Sequence, residues 1–310
     1  MSGGHDHGHG HAHGSGSTDR HRLAVALTIT AVILLAEVAG AVITGSLALL
    51  VDAAHMLTDV LGLVVALVAA TLVARPPSAR RTWGWQRAEV IAAAAQAAIL
   101  LVVGVYATVE GVQRLAAPPE VAAGGMALVG ALGLAGNVAS LLVLSGGRDN
   151  NLNMRAAFLE VLNDALGSVA VLVAAAVIAL TGWARADAVA GLLVALLILP
   201  RAVILLRRSG SILLETVPAG LDLQDVRRHI LEVPHVVAVH DLHASVVATG
   251  LPVLTAHVVL DDECFTDGHC AQILDHLQEC VASHFDVSVE HSTFQLEPAG
   301  HAEHEGRTHG

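Results

Sequence analysis

Lysine is absent from this 310-residue chain, tyrosine occurs once, cysteine three times, and aromatic residues make up 3%. All 16 basic residues are therefore arginine, and against 28 acidic ones they leave a net charge of −12. That balance sits largely in the last third, so a basic nucleic-acid-binding patch is not expected. Cys264, Cys270 and Cys280 all fall in that region without C-x-x-C spacing, which argues against a disulfide framework or a zinc finger and reads as reduced cytosolic thiols. Charged residues are also scarce, at 14% against 54% hydrophobic. A soluble domain rarely tolerates that ratio.

What is present is apolar runs of membrane-spanning length. Stretches of about 20 apolar residues occur six times: Leu23–Ile43, Leu47–Val73, Ala88–Leu115, Val121–Leu144, Met154–Leu180 and Ala186–Leu206. In a six-span arrangement Arg20, Arg22, Arg75, Arg80, Arg81, Arg87, Arg148, Arg155, Arg207 and Arg208 fall on one side, and only Arg114 and Arg185 on the other. The positive-inside rule then places both termini in the cytoplasm. The first run is too long for a signal core and no small-residue cleavage motif follows it, so it is expected to stay as a span. Short loops and the lack of a targeting segment favour a bacterial plasma membrane.

The expected domains are a His-rich cytoplasmic tail (1–22), a six-span transmembrane domain (23–208), a cytoplasmic α+β domain (209–298) and a His-containing tail (299–310). Within the third, a helix is expected over Leu221–Glu232, strands over Val236–Val247 and Val253–Leu260, a helix over Asp267–Phe285 and a strand over Val287–Glu297. The order α-β-β-α-β predicts a small ferredoxin-like sandwich with its helices on one sheet face. A core of that size gains from dimerisation or metal.

Two polar pairs interrupt the apolar runs: His55-Met-Leu-Thr-Asp59 in the second and Glu160-Val-Leu-Asn-Asp164 in the fifth. A four-residue step returns to the same helix face, and Asp52 extends the first stripe. Ionisable groups at membrane depth cost about 2.5–3.5 kcal/mol each on insertion scales and persist mainly where they bind ions, relay protons or pair together. Facing each other, the two stripes offer one imidazole and three carboxylates, the four donors of a tetrahedral divalent site. Hydrogen-bonded helix glue is the plainer explanation, but two matched pairs exceed what gluing requires.

Three segments carry a resemblance: Ser46-Leu-Ala-Leu-Leu-Val-Asp-Ala-Ala-His-Met-Leu-Thr-Asp59, Trp83-Gly-Trp-Gln-Arg-Ala-Glu89, and Asn153-Met-Arg-Ala-Ala-Phe-Leu-Glu-Val-Leu-Asn-Asp-Ala-Leu-Gly167. They resemble the cation diffusion facilitator family over nearly the whole chain. The resemblance implies a homodimeric, proton-coupled exporter of Zn2+ or similar ions, with no prosthetic group and no enzymatic activity. It puts His55 and Asp59 on the family's first ligand pair and Glu160 and Asp164 on its second. Zinc members usually have His where Glu160 stands. A carboxylate there is a harder ligand, weakening the preference for softer ions over Mn2+ or Co2+, and Cd2+ also remains a candidate cargo. Three crowded carboxylates hold at least one proton when empty, and metal binding expels protons, which suffices for antiport.

The first tail alternates His5, His7, His9, His11 and His13 with glycine and Asp6, and His301, His304 and His309 close the chain. Such tracts bind metal without packing a core, so cytosolic metal capture is expected of them. In the soluble domain His240-Asp-Leu-His243, His257 and Glu290-His291 lie on or beside strands, and the resemblance implies a cytoplasmic, regulatory metal site near His240, His257 and His291. Trp83 and Trp85 read as interfacial anchors, and Arg87 as a partner of Glu89 or of an acid in the soluble domain. Glu37 and Gln96 read as interhelical hydrogen-bond partners, and Gly40, Gly45, Gly62 and Gly104 as points of close helix approach. A membrane metalloenzyme or a metal-sensing receptor is the alternative; the first needs an open coordination position and a base, for which no motif is seen.

Overall fold

The computed structural model describes residues 13–146 and 152–301. Six long helices come first: α1 (His13–Thr44), α2 (Leu47–Val73), α3 (Arg87–Ala116), α4 (Ala123–Ser145), α5 (Leu152–Thr181) and α6 (Arg185–Leu213). Each contains a stretch long and apolar enough to cross a membrane. Helices satisfy most backbone polar groups within their own segment, as a lipid interior requires, with Pro200 inside α6 an exception. Helix α6 continues past Arg207 and Arg208 to Leu213.

The chain divides into two compact units, Met1–Val64 with Gln96–Val203, and Val65–Ala95 with Ile204–Gly310. In the first, α4 packs against both α1 and α5. Ala41, Ala48, Leu49, Met126, Val171, Ala174, Ala175, Ala186 and Ala190 form one of its buried clusters. Side chains this small let helices approach closely where lipid leaves no hydrophobic drive between them. A Cβ on Gly40 would sit 2.6 Å from Val129, one on Gly104 2.7 Å from Leu199, and one on Gly62 would strike the Gln96 amide, as the close-approach reading expects. Gly45 differs. It carries φ +70° at the turn between α1 and α2, so its role is conformational.

In the second unit, α7 (Leu223–Leu231) is capped by Asp222, whose side chain accepts from the Gln224 N–H. Strands β1 (Val236–Ala248) and β2 (Leu251–Leu260) form an antiparallel hairpin turning at Gly250 (φ +76°), and β3 (His291–Pro298) runs parallel to β2, giving the order β1-β2-β3. The predicted fourth element starts three residues late, at Cys270 rather than Asp267, and an unpredicted short helix precedes it. Gly268 takes a left-handed φ of +87°, ending α8 (Cys264–Asp267) before α9 (Cys270–Ser283) begins. β3 also starts four residues later than Val287. The architecture is otherwise the α-β-β-α-β sandwich that the sequence predicts. Val226, Ile230, Val258, Leu260, Leu277 and Val281 lie in its core. Burial, with Glu232 nearby, pushes the Cys280 thiol up, consistent with an unreactive reduced thiol.

Candidate metal centre

Helices α2 and α5 bring three of the four predicted residues together. His55 Nε2 lies 3.4 Å from Asp59 Oδ2 and 3.8 Å from Asp164 Oδ1. One donor atom from each of the three falls within 4.8 Å of the others. A tetrahedral ion with bonds of about 2.0–2.2 Å sets its ligand atoms about 3.3–3.6 Å apart. The trio is therefore close to that spacing before any ion enters. His55 and Asp164 are buried, at 7% and 4% exposure. Among the described residues, His55 Nδ1, Asp59 Oδ2 and Asp164 Oδ1 have no hydrogen-bond partner. Orphaned buried acceptors are costly unless a ligand satisfies them.

Glu160 is the exception to the predicted set. Its Oε1 accepts a hydrogen bond from Arg201 Nη2 of α6 at 2.8 Å, and it lies outside the trio while remaining beside Asp59. Glu160 is one helical turn from Asp164, so it shares the trio's face, but the nearest cation draws its carboxylate aside. Asn163 is exposed. Asp52 is buried and faces Glu37 of α1 rather than His55. Room for this carboxyl pair comes from two glycines: a Cβ on Gly133 would lie 2.9 Å from Glu37 Oε1, and one on Gly167 2.6 Å from Asp52 Oδ1. Glu37 of α1 thus partners a side chain of α2, the helix-to-helix role expected of it.

The start of α2 is fixed from α6. The Asp187 carboxylate, 1% exposed, accepts from Ser46 Oγ (2.5 Å), the Leu47 N–H (2.7 Å) and the Ala48 N–H (3.2 Å). It thereby takes up free N–H groups of the first turn and places negative charge at the helix's positive end. Arg114 approaches the same carboxylate at 3.7 Å while pairing with Glu110. His55 and Asp59 lie two and three turns further along α2.

A second cluster lies on the sheet face away from the helices. The β1–β2 register sets His240 opposite His257, and His240, Asp241 and His257 have donor atoms within 4.8 Å of one another. Glu297 completes it, with His240 Nε2 at 2.5 Å and His257 Nδ1 at 3.6 Å. His243 and His301 stand at its edge. His291, expected here, is not among them. The parallel register pairs it with Val253, while Gln295 lies opposite His257, and its ring instead meets Trp83 edge-on at 4.8 Å. Arg87 pairs with Glu215 at 2.6 Å, an acid beyond α6, rather than with Glu89. His5, His7, His9, His11, His304 and His309 lie outside the described residues.

The family model for the cation efflux transmembrane domain matches residues 23–214, and that for the cation efflux protein cytoplasmic domain matches 218–299. The chain belongs to the cation efflux family, the cation diffusion facilitators. This cation efflux protein is similar to the metal cation efflux system protein CzcD of Cupriavidus metallidurans, at 42% identity over 88% of this chain and 86% of the relative. It is similar to the zinc transporter ZitB of Escherichia coli at 40% over 86% and 84%. It also resembles a cadmium, cobalt and zinc/H(+)-K(+) antiporter of Bacillus subtilis, at 36% over 86% of each chain. These relatives are named as transporters or efflux proteins, not enzymes. The family and the six apolar helices make this a multi-pass integral membrane protein.

Three residues that shape the sites of this efflux protein escaped the sequence reading: Arg201, Asp187 and Glu297. Arg201 had a readable signal, since an arginine inside an apolar run demands a counter-ion. Asp187, inside the same run, carried the same signal, while Glu297 had none because its partners are distant in the chain.

Proposed function

We propose that this protein exports divalent metal ions from the cytoplasm, with Zn2+ the favoured cargo and Cd2+, Co2+ and Mn2+ as competitors, in exchange for protons. The observation that supports it best is the buried His55–Asp59–Asp164 trio, spaced for a tetrahedral ion and left with orphaned acceptors. The relatives' names point the same way. Carboxylates must shed protons to ligate, so metal and protons compete for the same oxygens. Alternating access of this site to the two membrane faces converts the competition into antiport.

In this reading both termini are cytoplasmic, the membrane is a bacterial plasma membrane, and two copies associate through the C-terminal domain. His240, His257, Asp241 and Glu297 form a regulatory Zn2+ site, and the His-rich tails gather metal. The test is a competition uptake assay in reconstituted vesicles with Zn2+, Cd2+, Co2+ and Mn2+, repeated with Glu160→His. Wild-type protein accumulates Zn2+ and moves protons the opposite way, and the variant raises the Zn2+ to Mn2+ ratio because imidazole favours the softer ion. No metal-dependent proton movement in wild type contradicts the proposal.

A further inference from the structure

We infer that Arg201 is a tethered counter-cation that competes with the transported metal for Glu160, holding this carboxylate when the site empties and yielding it when an ion arrives. The inference rests on the export reading above and deepens it. A guanidinium does not deprotonate in proteins, so Arg201 is a permanent positive charge in the site. The chain has no lysine to serve instead.

The geometry gives Glu160 two competing demands. It is bonded to Arg201 at 2.8 Å, yet it stands one turn from Asp164 and beside Asp59. The trio offers three donors, and a tetrahedral ion takes four. Glu160 is positioned to supply the fourth by a side-chain rotation within its own helix face. Its side chain is 32% exposed and that of Arg201 44%, so packing does not lock either of them in place.

The charges close as well. Asp59, Glu160 and Asp164 carry −3 when ionised, and Arg201 carries +1, leaving −2 against one divalent ion. Without Arg201 the occupied site keeps a surplus negative charge and a carboxylate with no other partner. The ion then binds too tightly to leave, and conduction requires binding weak enough for release. Arg201 is thus a positioning residue: it sets where the Glu160 carboxylate rests and acts on the ion through it.

The test uses the full-length protein, with Zn2+ affinity measured by titration in detergent and Zn2+ uptake measured in vesicles. Arg201→Gln binds Zn2+ at least about tenfold tighter, since the Glu160 carboxylate no longer has to be released from a charge-assisted bond before it can ligate. In transport its KM falls and its maximal rate falls with it. Arg201→Lys, which keeps the charge, stays within about threefold of wild type in both assays. In a Glu160→Gln background the gain from Arg201→Gln shrinks below about threefold, because no carboxylate remains to be released.

Zinc binding no tighter in Arg201→Gln than in wild type overturns the inference and leaves Arg201 a tie between α5 and α6. An equal gain in the Glu160→Gln background, or an Arg201→Lys variant that behaves like Arg201→Gln, overturns it too. Failure of the export reading shows separately, as wild-type vesicles that accumulate no Zn2+.

Discussion

Asp187→Ala tests whether the α6 carboxylate sets the start of the helix that carries His55 and Asp59. The substitution strands the Leu47 and Ala48 N–H groups and the Ser46 hydroxyl, all three buried. Hydrogen bonds to a charged acceptor contribute about 1.5–3 kcal/mol each. Losses within one network do not sum, so a total of about 3–5 kcal/mol is expected. Arg114 retains Glu110 and the Gly45 carbonyl, and adds little to the loss. At roughly 2–4 °C per kcal/mol for a domain of this size, the thermal midpoint of the detergent-solubilised protein falls by at least about 6 °C. Asp187→Asn keeps one acceptor oxygen without the charge and falls about half as far. Zinc uptake declines in the same order, because the start of α2 loosens two turns from His55. An Asp187→Ala variant that melts within about 2 °C of wild type refutes the capping argument. So does an Asp187→Asn variant as damaged as Asp187→Ala.

Gly167→Ala sets a methyl group 2.6 Å from Asp52 Oδ1 and forces the Glu37–Asp52 pair to shift, so uptake falls severalfold while Gly210→Ala, which meets nothing within 4 Å, transports normally. Equal activity of the two variants in vesicles counts against a functional role for the pair. Zinc compacts the paired C-terminal domains in small-angle scattering of the full-length protein, and His257→Ala or Glu297→Ala removes that response. Compaction that survives both substitutions rejects the cytoplasmic site.

The parts of this protein that repeat within one helix or strand were legible in its sequence. Six apolar runs read directly as α1 to α6, because continuous apolar runs of about 20 residues satisfy their backbone in lipid only as helices. The four-residue step from His55 to Asp59 and from Glu160 to Asp164 put each pair on one face before any packing was known. Legibility ended where partners come from distant segments. Glu160 meets Arg201 across 41 positions, and Ser46 meets Asp187 across 141; no local period encodes either. His291 illustrates the same limit, since the parallel register of β3 on β2 decides that Glu297, not His291, reaches His240. The short helix α8 before Gly268 went unread because its four residues are too few to show a helical period.

The central claim is that His55, Asp59 and Asp164 grip a divalent ion in place of protons. It is tested most directly by metal-dependent proton flux in vesicles containing wild type, Asp59→Ala or Asp164→Ala. Wild type releases protons against Zn2+ uptake and both variants lose the exchange. Flux retained in both variants contradicts the account.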